Sequence, residues 1–254
     1  MLGFWETGLH RNFGAALPTE ARPLIDTIEA ILGGTIVGEA LAAWFLARYP
    51  LREGQRWAWE ALWLGHRIWF GVAFIACLMT GAQDTLLTLA MPAFLVFAVI
   101  LWRAKPPPAV GSEQDSVTTE RELRYTRWFC MGQVIFGCSL VLVAWGLDSS
   151  PYHRAMWAAL WPEGGASSLA QSWLVLGFGL IGALFAAHFS YLAMWAHHSP
   201  SHPRLARAYV ASVFAWFMVD SVGCALAGAW FNVLSINIMC IVGAASCWWL
   251  DHRA

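Results

Sequence analysis

Residues 85–102 read TLLTLAMPAFLVFAVILW and residues 230–250 read WFNVLSINIMCIVGAASCWWL, two stretches without a single charged side chain. A helix that crosses a bilayer needs roughly 20 mostly apolar residues, and both stretches meet that requirement. The rest of the chain shares their character. Of 254 residues, 59% are hydrophobic and only 12% charged, which excludes an ordinary soluble globular surface. Seventeen Trp and fifteen Phe fit the aromatic belts of a membrane protein, and a net charge of −1 gives no electrostatic case for nucleic acid.

The same ruler predicts an all-α, polytopic transmembrane helical bundle of about seven helices, over residues 27–48, 57–80, 85–103, 128–147, 173–197, 205–227 and 230–250. The first is the least apolar, because Asp26, Glu29 and Glu39 interrupt it. The N-terminus, MLGFWETGLHRNFG, lacks the basic start and apolar core of a cleavable signal, so the first helix is expected to stay with the chain. If the spans alternate, one side holds eleven Lys and Arg and the other only Arg11, Arg22 and Arg154. Positive flanks resist translocation, so the N-terminus is expected outside and the C-terminus in the cytoplasm. A Pro-rich, then charged, cytoplasmic linker occupies 104–127.

The chain also repeats itself. HRNFGAAL (10–17) and HRAMWAAL (153–160) agree at five of eight positions, and residues 61–82 and 208–229 agree at seven of twenty-two, at an offset of 147. The second comparison pairs Trp69-Phe70 with Trp216-Phe217, Cys77 with Cys224 and Gly81-Ala82 with Gly228-Ala229. A three-helix unit reverses the side on which the chain emerges, so two units in the same orientation need one extra crossing. The expected organisation is a first repeat over 1–103, the linker, a linking helix over 128–147 and a second repeat over 148–254, in parallel. Both HR…AAL segments would lie in the interface ahead of their triplets. Gly34/Gly38/Ala42 and Gly182/Ala186 have the small-xxx-small spacing of closely packed helices.

Chemistry is sought where ionisable groups enter the spans, because a charge at the bilayer centre costs about 2.5–3.5 kcal/mol on insertion scales. Those groups are Glu39, His66, Arg67, His188 and Asp220. Glu39, His66 and His188 are expected roughly 13 Å deep on three different helices, at 1.5 Å per residue. Arg67 is long enough to bridge toward Asp220 or Glu39. Four uses stay open: a buried ion pair that fixes helix register, a substrate or proton site, a transition-metal site of Glu and His, and a haem or chlorophyll-type pigment ligated by His66 or His188.

Other chemistries lose support. Lys105 is the chain's one lysine and lies in the linker, so a retinal Schiff base has no residue to form on. Phosphate-cradle, zinc-peptidase and nucleophile-elbow motifs are absent from the sequence. The six cysteines have no paired metal spacing and read as small hydrophobes. His197, His198 and His202 cluster at the end of the fifth helix, as an interfacial tract with metal binding as the alternative.

RWAWEALWLG, AWFMVDSVGCALAGAWFNVL and the duplicated HR…AAL resemble a pattern found in small polytopic bacterial membrane proteins. The resemblance implies a bacterial inner membrane and a helical bundle, and no activity. The expected role is a non-enzymatic subunit that packs against other membrane proteins or against itself within the lipid bilayer. The alternatives are a small-solute or proton-coupled transporter and a haem- or pigment-binding protein.

Overall fold

The computed structural model describes residues 22–106, 123–145, 168–198 and 203–253. Both HR…AAL segments, residues 107–122 of the linker and His202 lie outside them. The described residues form seven helices and no strand. Helix α1, Arg22–Leu46, runs into a π turn at Ala47–Leu51. Then come α2, Arg56–Thr80, and α3, Gln83–Arg103, with α4, Arg124–Trp145, and α5, Ser168–His198, after the linker. Helix α6 is Pro203–Leu226; α7 starts as Trp230–Asn232, passes a π turn at Val233–Asn237 and continues as Ile238–Arg253. Helices α1, α2, α3, α5, α6 and α7 are long and apolar enough to cross a membrane, which makes this a multi-pass membrane protein.

Helix α4 begins four residues before its expected start at 128, and the cause lies at the far end of the chain. Asp251, in the last turn of α7, accepts the backbone N–H of Tyr125 at 2.9 Å and of Thr126 at 2.7 Å. First-turn amides have no partner within their own helix, so a nearly buried carboxylate there satisfies two of them and opposes the positive end of the helix dipole. Asp251→Ala is expected to lower stability by about 1–2 kcal/mol, and Asp251→Asn by about half as much. Unfolding in detergent would measure both, and an unchanged Ala variant would mean that the amides are satisfied without Asp251.

Helices α2 and α6 stop in the same way. Gly81 (φ 70°) and Gly228 (φ 79°) adopt the left-handed conformation that glycine enters without a Cβ clash. The following amides then turn back, Ala82 N–H to the Cys77 carbonyl at 2.9 Å and Ala229 N–H to the Cys224 carbonyl at 2.8 Å. Beyond each glycine come a three-residue helical start and a five-residue π turn, Leu86–Ala90 in α3 and Val233–Asn237 in α7. These elements lie 147 positions apart, as in the sequence comparison. Pro92 follows the first π turn and Met239 the second, so proline does not dictate the turn.

Helix α5 is the centre of the bundle: 94% of its apolar span is buried, against 17% for α3 and for α7. Helices α1, α2 and α4 pack around it. Helix α1 also lies along α6, as α5 lies along α2. Small residues bring these helices close. A Cβ added at Gly34 would lie 2.6 Å from Asp220 Cβ, one at Gly38 2.7 Å from Trp216 Cβ, and one at Gly223 2.6 Å from Ala30 Cβ. Gly182 of α5 meets Gly137 of α4, backbone against backbone. In lipid, where apolar burial drives no association, such fits supply much of the packing energy.

Candidate functional site

The most polar buried cluster forms where α6 meets the π turn of α7. Asp220 is 1% exposed, its backbone resting on Gly34. Its Oδ1 accepts the side-chain amide of Asn237 at 2.8 Å, the amide of Asn232 at 3.1 Å and the Cys224 thiol at 3.2 Å. Asn237 also donates to Ser221 Oγ at 3.0 Å and accepts from Asn232 at 3.4 Å. The π turn makes this arrangement. In an α-helix, residues five apart diverge by roughly 140°, whereas the wider π turn sets Asn232 and Asn237 on one face, toward Asp220.

A cavity of about 30 Å³ opens beside the cluster. Asp220, Asn232 and Asn237 line it with Trp216 and with Phe136, Phe178 and Phe185. Two of the lining residues carry a buried polar atom without a hydrogen-bond partner, Asp220 Oδ2 and Trp216 Nε1. One is an acceptor and the other a donor. Buried polar groups are rarely left so, and each such atom calls for a water, an ion or a ligand. No family model, curated protein or solved structure matches this chain. Its chemistry is read from the cavity alone.

Among the described residues, no two of the five sequence candidates hydrogen-bond to each other. Glu39, half-buried on α1, accepts the Tyr191 hydroxyl at 3.1 Å. Tyr191 is fully buried and fits only because residue 65 is glycine, since a methyl group there would overlap its ring. His66 turns to α3, its ring 5.0 Å from Phe94 and nearly parallel to it, 4.4 Å from Phe97, and its Nε2 3.3 Å from the Phe94 carbonyl oxygen. Arg67 is exposed, its guanidinium 5.0 Å over the Trp63 ring, and does not bridge to Asp220 or Glu39. His188 is 1% exposed, beside Gly38 and edge-on to Phe189, and neither ring nitrogen completes a hydrogen bond.

These placements do not suit a macrocycle. Aromatic rings cover His66 and helix walls enclose His188, so neither imidazole has an open side on which a haem or chlorophyll-type ring would fit. The histidine tract at the end of α5 is engaged locally: Arg127 donates to His197 Nδ1 at 3.1 Å, and His198 stacks on Trp57 at 5.4 Å. Among the described residues no three His, Cys, Asp or Glu side chains are grouped to hold a metal ion.

Sequence reading found Asp220 and missed its partners. Asn232 and Asn237 carry no charge and sit in a stretch that looks uniformly apolar; the spacing of five was the available signal. The positions 147 residues earlier hold Ala73 for Asp220, Thr85 for Asn232 and Ala90 for Asn237, so the polar cluster has no counterpart at that offset.

Proposed function

We propose that the protein is a membrane carrier for a small polar solute, with the Asp220 cavity as its binding site. One observation carries this reading: an unpartnered carboxylate oxygen and an unpartnered indole N–H belong to residues that line the same cavity. A carboxylate that only fixed helix register would be expected to have both oxygens satisfied, because a half-satisfied buried group destabilises the fold that it serves. The π turn in α7 supports the reading further, since such turns recur where a helix must present side chains out of α register.

The recurrence of glycine cap, short helix and π turn 147 positions apart supports an internal duplication. We infer two parallel triplets with α4 as the extra crossing, in a bacterial inner membrane with the C-terminus cytoplasmic. In that orientation Asp220 faces the outer half of the bilayer and Glu39 the inner half.

Liposomes that contain the purified protein and are preloaded with ammonium, glycine, acetamide or glycerol test the carrier reading. At least one solute should leave faster than from protein-free liposomes, and Asp220→Asn should slow it about tenfold or more. Equal rates for every solute with and without protein would sink the reading. A second role, as a subunit of a larger membrane assembly, is favoured by α3 and α7, which lie at the periphery with few neighbours and most of their surface uncovered. Recovery of stoichiometric partners in mild detergent would support it, and a solitary monomer would count against it.

A further inference from the structure

We propose that the cavity beside Asp220 takes a small primary ammonium ion, with the Asp220 carboxylate as counter-charge and Phe136, Phe178, Phe185 and Trp216 as an aromatic surround. This rests on the reading of the cavity as a solute site and adds the class of solute.

Charge balance is the first argument. A carboxyl deep in a bundle stays charged only beside a partner of opposite charge, and no Lys, Arg or His lines the cavity. Arg67 lies over Trp63 on α2, and His188 rests against Gly38. Asp220 receives three donors on Oδ1 and none on Oδ2. The protein thus leaves one carboxylate oxygen for a ligand that brings both N–H donors and positive charge. An anion would meet like charge there. A divalent metal ion needs about six oxygen ligands, and the cavity is lined by one carboxylate and two side-chain amides among apolar side chains.

Size and surface are the second argument. A water requires about 10–15 Å³ of such volume, so about 30 Å³ admits two bodies of that size, an ammonium ion with one water or a methylammonium ion alone. Four aromatic rings line the space, and a cation within about 6 Å of a ring face is attracted by its quadrupole. A sugar or a large amino acid has no room.

Methylammonium chloride is the probe, with sodium chloride and acetamide as the charged and neutral controls, on the purified full chain. Methylammonium is expected to raise the melting temperature at about tenfold lower concentration than either control. Protection should disappear in Asp220→Asn and require about fivefold more methylammonium in Phe178→Leu, which keeps the apolar bulk and removes the π face. If Asp220→Asn does not fold, the order of the three probes on the wild type and the Phe178 variant decide. Acetamide as effective as methylammonium overturns the cation assignment. No protection by methylammonium together with carrier flux of a neutral solute overturns it too, and leaves the carrier reading standing. Protection by methylammonium with no flux of any solute keeps the site and removes the carrier.

Discussion

Gly34→Leu is expected to lower stability by about 3 kcal/mol or more, while Gly33→Leu, one residue away, should remain within about 0.5 kcal/mol of wild type. The difference lies in what each Cβ would meet. At position 34 it would lie 2.6 Å from Asp220 Cβ, 2.8 Å from Asp220 N and 2.9 Å from Asp220 Cα, whereas at position 33 nothing lies within 4 Å. The neighbour at position 34 is largely helix backbone, which cannot rotate aside as a flexible side chain does. Helices α1 and α6 would therefore have to part along their shared length. The fits of Gly38 on Trp216 and of Ala30 on Gly223 would go with them. Reversible unfolding of both variants by denaturing detergent would measure the difference. Equal losses at 33 and 34 would mean that α1 does not approach α6 as described.

Helix positions were legible in the sequence because a spanning segment is set by a single quantity, the length of unbroken apolar chain. All seven were placed that way, and α2 and α6 end at Gly81 and Gly228, which the sequence comparison had paired. The starts of α1, α4 and α5 lie four or five residues before the apolar runs, and at α4 the extra turn meets Asp251, 125 residues or more away in sequence. Hydropathy also says nothing about which helix neighbours which. That α1 lies on α6 and α5 on α2 follows from where glycines let two backbones meet, and Gly34 and Gly38 announced the close contact without naming the partner.

The site was half legible for a related reason. Depth can be counted from a helix end, and the count placed Glu39, His66 and His188 at one level. Facing cannot be counted so simply, because each residue turns the helix by about 100°. His66 consequently faces α3 while its neighbour Gly65 faces α5, so these two adjacent residues serve different contacts. Charge marked Asp220, but its amide partners are neutral and reach it only through a π turn, which has no established hydropathy signature.

Ablation of the cluster separates a structural from a functional Asp220. Asp220→Ala is expected to cost about 3 kcal/mol, since three buried donors lose their shared acceptor at about 1 kcal/mol each, and Asn237→Ala about 1–2 kcal/mol. The double variant should cost about 1 kcal/mol less than the two added, because removing Asn237 also removes one of the amides that the first change had deprived of Asp220 Oδ1. The Asn232 amide and the Cys224 thiol still lack the Asp220 acceptor in the double variant, so it should still fall below wild type. Strict additivity would mean that the 2.8 Å contact between Asp220 and Asn237 carries no energy. Asp220→Asn divides the two roles. It retains an acceptor for the amides, so its stability cost should stay near 1 kcal/mol, yet it removes the charge. A stable Asp220→Asn protein without flux would place the carboxylate in solute binding. An unstable one with full flux would make it a register-fixing group and remove the basis of the carrier reading.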